Sequence, residues 1–162
     1  MLRDRARQLG LCDQWYDQWD KEETKQELIE KYLKGIDFCI KHDYPKPDFI
    51  RAYFPNSILV KNCIFLDTLN VETSNLSRAV FLGKSNGRIT YDGVKAGNIY
   101  LRHESELDVK ATGGARVFIE TYEGCRLNVE AKENSKVFVY RHGGEVHVSG
   151  NVMVRDKRKA GD

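Results

Sequence analysis

Between residues 97 and 155 the apolar side chains come in pairs separated by one position. They are Ile99 and Leu101, Leu107 and Val109, Val117 and Ile119, Leu127 and Val129, Val137 and Val139, then Val146 and Val148. That alternation is the period of an extended strand, whose successive side chains point to opposite faces. Most neighbouring pairs start ten residues apart, but chemical likeness is better at twenty: RVFIE (116–120) matches KVFVY (136–140), and ELDVK (106–110) matches RLNVE (126–130). Two dissimilar strands therefore make one repeated unit. A chain that returns to a similar position once per two strands stacks like side chains in columns, which is the definition of a β-solenoid. Gly113-Gly114, Glu123-Gly124, Glu133-Asn134 and Gly143-Gly144 supply its tight corners. An antiparallel β meander or sandwich is the alternative, because the same spacing suits hairpins. The alternating strand chemistry favours the solenoid, expected to be right-handed.

The region before residue 56 follows a different period. It holds all three prolines and both tryptophans and no valine, whereas eleven of the thirteen glycines come later. In residues 3–19, Leu11, Cys12, Trp15, Tyr16 and Trp19 recur at helical intervals. Asp20 followed by Glu23 predicts the reciprocal caps of a second helix, with Leu28, Ile29, Tyr32, Leu33, Ile36 and Ile40 on its apolar face. A short third helix is expected over 48–54, stopped by Pro55. The domain reading is thus a helical segment, 1–55, packed on a mainly β region, 56–162. Within that region, residues 56–82 are expected to cap one end of the solenoid and the charged tail 155–162 the other.

Aligning the repeats places Tyr100, Phe118, Phe138 and Met153 between inward residues, as one apolar column on an outer wall. The matching column on the other strand is polar: Asp108, Asn128 and His147. Such an apolar column exposes about 500 Å² or more, above the size of an ordinary surface patch, so something is expected to cover it. The protein's own helices are the first expectation, a protein partner or a second copy the next.

Chemical motifs are few. Lys plus Arg number 26 against 24 Asp plus Glu, a formal charge of +2, with both signs interspersed along the chain. That balance argues against nucleic acid, which needs a concentrated positive surface. Basic residues adjoin aromatics in YLRH and VYRH, but Glu104, Glu106, Glu120 and Glu123 stand nearby to repel phosphate. Cys12, Cys39, Cys63 and Cys125 form no close ligand or redox pair; the first three read as buried small side chains and Cys125 as an exposed one. With no apolar leader at the start, a reducing, cytoplasmic setting is expected, and no run reaches the roughly eighteen apolar residues of a membrane span. Gly83-Lys84-Ser85 resembles the end of a phosphate loop, but Arg78 stands where its first glycine belongs. His103 and His142 fall at presumed corners and His147 on the polar column, without metal-ligand spacing. No catalytic residue, metal or cofactor is assigned.

The string GIDFCIKHDYP, with the blocks DGVKAGNIYLRHESELDV, ARVFIE and KVFVYRHGGEV, resembles uncharacterised proteins of gut Bacteroidetes over nearly the whole chain. That resemblance implies no chemistry or residue role. The repeats also resemble, in architecture, short β-solenoid scaffold proteins such as bactofilins, from which the helical front end and irregular rung lengths depart. The expected function is a non-catalytic structural or protein-interaction module, acting on a protein partner or by self-association. A carbohydrate-binding or glycoside-acting β-helix protein is the alternative; it would require two acids converging in a groove.

Overall fold

The computed structural model describes residues 2–19 and 23–158. The chain divides into two compact units between Asn62 and Cys63. The boundary falls later than residue 55 because Pro55, before which the helix Pro47–Tyr53 stops as expected, also caps a further helix. Its fixed φ and missing N–H suit that position, where no backbone donor is required.

The first unit is a set of short helices: α1 (Leu2–Gln8), α2 (Asp13–Asp17), α3 (Lys25–Lys34), α4 (Ile36–His42), α5 (Pro47–Tyr53) and α6 (Asn56–Lys61). The face expected over 3–19 is split, since Gly10 takes a φ of 101°, which ends α1. Trp15, Tyr16 and Trp19 are half-buried and Cys12 is exposed, contrary to its reading as a core residue. Helix α3 is capped by Thr24, whose hydroxyl accepts from the Glu27 N–H while the Glu27 carboxylate accepts from the Thr24 N–H. The cap expected at Asp20 lies outside the described residues, and the observed one is four residues later. Gly35 separates α3 from α4, yet the apolar stripe runs on: Ile29, Leu33, Ile36 and Ile40 are all buried.

Among the described residues the second unit is a parallel β-solenoid of eleven strands. They are β1 (Ile64–Leu66), β2 (Val71–Ser74), β3 (Arg78–Leu82), β4 (Asn86–Tyr91), β5 (Ala96–Leu101), β6 (Glu106–Ala111), β7 (Arg116–Thr121), β8 (Arg126–Ala131), β9 (Lys136–Arg141), β10 (Glu145–Gly150) and β11 (Val152–Asp156). Odd strands stack in one wall, in the order β1-β3-β5-β7-β9-β11, and even strands in the other, β10-β8-β6-β4-β2. Every pairing is parallel, which excludes the meander. Through the middle the register steps by twenty residues, as in Arg116 with Lys136 and Glu106 with Arg126. It shortens toward both ends, to sixteen at Ile64 with Val80 and fifteen at Val137 with Val152. Residues 56–82 are therefore not a separate cap: from Ile64 onward they already form rungs. Of the tail expected to cap the other end, Arg155 and Asp156 finish β11, and residues 159–162 lie outside the described residues.

Inward positions carry the core, with Ile99, Leu107, Val109, Val117, Ile119, Leu127, Val129, Val137 and Val139 all buried in one cluster. Cys125 belongs to the same cluster, 2% exposed, which overturns its reading as a surface thiol. It sits at a corner whose equivalents in earlier rungs are Ser85 and Ser105, as the bonds from Arg126 N–H to Ser105 and Glu106 N–H to Ser85 show. These buried serines satisfy their hydroxyls on nearby carbonyls: Ser105 donates to that of Arg102, and the Ser85 hydroxyl lies 2.8 Å from both the Leu82 carbonyl of its own corner and the Phe65 carbonyl one rung earlier, its single proton serving one at a time. A cysteine fills the same small space without that requirement. Burial pushes its thiol up to about 11, so it is inert at neutral pH.

Candidate functional site

Parallel stacking makes every outward position a column, so the surface of the solenoid is read by register. On the odd wall Phe118 pairs with Phe138 and Phe138 with Met153. The two rings stack with centroids 5.1 Å apart and planes 12° from parallel. Phe118 and Met153 remain 38% and 54% exposed. The residue before Phe118 in this column is Asn98, itself paired with Arg78, and not Tyr100. Tyr100 stands two positions along, between Val80 and Glu120, in a column that continues to Tyr140 and Arg155. The misalignment has a steric cause. Opposite Val117 the inward residue is Gly97, and a Cβ there would lie 2.4 Å from the Tyr91 hydroxyl. The ring of Tyr91, fully buried, occupies the space a valine would take, and its hydroxyl donates to the Leu76 carbonyl at 2.7 Å. The alternation signal is therefore missing where it would have fixed the register.

On the even wall Asp108, Asn128 and His147 do stand in one column. The Asn128 amide donates to the Asp108 carboxylate at 2.9 Å. The column extends to Arg88 and Glu72, which the sequence reading did not include. Gly87 hid them as Gly97 hid the other register: it occupies the inward position opposite Leu107, where a Cβ would lie 2.3 Å from the Val71 carbonyl oxygen. A neighbouring column alternates charge, with Arg126 between Glu106 at 3.8 Å and Glu145 at 3.5 Å. The hydrogen bond from His147, then the Arg126 charge, hold the Glu145 carboxyl below the usual range. Glu130 is lowered likewise by its bond from Lys132. An open groove of about 570 Å³ runs across this wall, lined by Glu72, Arg88, Glu106, Asp108, Arg126 and Asn128.

Of the other histidines, His103 and His142 serve corners, while His42 ends α4. His103, at a φ of 64°, accepts the Gly83 N–H on Nδ1 at 3.1 Å. His142 stacks on Tyr122 with centroids 4.6 Å apart, and the Arg102 guanidinium lies 4.9 Å from the centre of the same tyrosine ring. Among the described residues no group of three or more His, Cys, Asp or Glu side chains is arranged to hold a metal ion. Nor is any described helix long and apolar enough to cross a membrane.

Comparison of the chain with protein-family models, with curated proteins and with solved structures finds no match. The class the topology defines is a protein with a small helical unit followed by a repetitive parallel β-solenoid, one wall partly aromatic and the other charged.

Proposed function

We propose that the protein is a non-catalytic interaction module in which the solenoid presents a fixed apolar ladder to a protein partner. The observation that carries this is the Phe118–Phe138–Met153 column, in register, stacked and exposed. Stacked rungs hold the rings at fixed spacing, so little rotamer entropy is left to lose on binding. Exposed aromatics and methionine on a rigid sheet are the residue types that dominate protein interfaces. The four free thiols support a cytoplasmic setting for this module.

A photo-reactive phenylalanine analogue at position 138 tests the reading in extract of the source organism. A discrete cross-linked protein is expected, with the yield falling about tenfold or more in a Phe118→Asp background that keeps its circular dichroism spectrum. Equal cross-linking from position 128, on the opposite wall, would overturn it.

A glycan-binding reading draws on the polar groove, whose Arg88, Asp108 and Asn128 offer donors and acceptors along an extended wall. Amide shifts confined to these residues on adding neutral oligosaccharides would favour it over the protein-partner reading.

A further inference from the structure

The two ends of the solenoid differ. At the first rung Ile64, Phe65 and Leu66 of β1 are all buried, and Val71 of β2 is half-buried. At the last rung none of the inward valines is buried: Val148 is 44% and Val154 is 41% exposed, and Val146 and Val152 only half-buried. Their register partners one rung earlier, Leu127, Val129, Val137 and Val139, are 0 to 4% exposed. Strands β10 and β11 are also the terminal strands of their sheets, each paired on one side only among the described residues. The end face thus combines four core-type valines with two rows of backbone groups that lack a strand neighbour, the features that invite pairing with another chain.

We infer that this end face binds the same face of a second copy of the chain, through a two-fold axis that sets β11 of each copy antiparallel to β10 of the other. A two-fold interface must be self-complementary, and this one is. Strands β10 and β11 have six and five residues, so each covers the other's open edge. With Val152 opposite Val148 and Val154 opposite Val146, the inward side chains of the two last rungs close one core. The same register sets Arg155 opposite Glu145. Glu145 meets His147 through one carboxylate oxygen and Arg126 at 3.5 Å through the other, and it keeps 54% of its side chain exposed, so it has room for a second guanidinium. The other two-fold arrangement, β11 on β11 and β10 on β10 with Val152 opposite Val154 and Val146 opposite Val148, sets Arg155 opposite Asn151 and Glu145 opposite Ser149, so neither gains an opposite charge. Charge therefore selects the crossed pairing.

Light scattering and sedimentation across a dilution series to about 100 µM, where a small interface is populated, test this. The wild-type chain is expected to reach twice its monomer mass. Arg155→Glu and Glu145→Lys should each remain monomeric alone, since each sets like charges face to face. Mixed in equal amounts, the two variants should form a dimer, because both contacts then join opposite charges. Circular dichroism of each variant establishes that the fold is kept, and Val148→Lys supplies a second disruption that leaves both charges in place. A wild-type monomer at the highest concentration overturns the inference, as does a dimer that Val148→Lys leaves intact. Failure of the mixed pair to associate overturns the crossed arrangement. None of these outcomes bears on cross-linking from position 138, so the fate of the apolar ladder is read separately.

Discussion

Gly97 and Tyr91 act as one steric unit. The glycine is the inward residue of β5, and the tyrosine ring fills the volume its side chain would need. Gly97→Ala is expected to cost about 2 kcal/mol, the usual scale for overpacking a filled core, measured by urea unfolding. In a Tyr91→Leu background, where the ring is gone, the same substitution should cost markedly less; a coupling near zero would show that the two sites are independent. The pair also explains what the sequence conceals. Alternation is legible where each inward position carries a branched aliphatic residue, as in β7 and β9, and there the Phe118–Phe138–Met153 column is read correctly. Where the inward residue is glycine the filling atoms come from elsewhere in the chain, the Tyr91 ring at Gly97 and the backbone and Cβ of Val71 at Gly87, and nothing local reports it. Tyr100 is misplaced, and Arg88 overlooked, for that one reason. Cys125 is misjudged differently: a corner position reads as surface, but the corners before β4, β6 and β8 each turn one small side chain, Ser85, Ser105 or Cys125, into the core.

At the scale of elements, strands prove more legible than helices. Ten-residue spacing of alternating pairs is a redundant signal, repeated rung after rung, whereas a helix of five to ten residues offers a single chance to find its ends. Asp20-Glu23 and Thr24-Glu27 are both sequences compatible with a capping box; the second closes, and Asp20 of the first lies outside the described residues. Thr24→Ala should lower the stability of the helical signal by about 1 kcal/mol at neutral pH, followed by thermal melts at 222 nm. The effect has a defined pH dependence. The Glu27 carboxyl is held below its ordinary value by the bond from the Thr24 backbone N–H and then by the Thr24 hydroxyl. A depressed carboxylate contributes above its unfolded pKa, and the contribution disappears as pH falls through the folded one. The stability difference between the wild-type chain and the Thr24→Ala variant should therefore shrink in acid below that range. A difference that persists unchanged at low pH would separate the hydroxyl from the carboxylate.

A stack of rungs is close to one-dimensional, since each rung touches only the rung before and the rung after, and its stability is a sum of nearest-neighbour terms. An interior rung has two such neighbours; the last has one. Here the difference is visible in burial, because equivalent valines go from nearly inaccessible in β9 to 41% exposed in β11. Losing contact on one side removes much of the apolar burial that would oppose opening, so local unfolding of β10 and β11 is expected well below the free energy of opening the middle. Hydrogen exchange read by mass spectrometry measures this directly. Peptides spanning 145–157 should exchange faster than those of β5 through β8 at micromolar protein concentration, with protection rising steadily from the last rung inward. Uniform protection along the whole stack would mean that the solenoid opens as a single cooperative body and that its exposed end carries no local weakness. Raising the concentration extends the same measurement: an end face that gains a neighbour should gain protection in β10 and β11 while β5 through β8 stay as they were. Fraying at the open end and its closure by another rung are then two settings of one nearest-neighbour term.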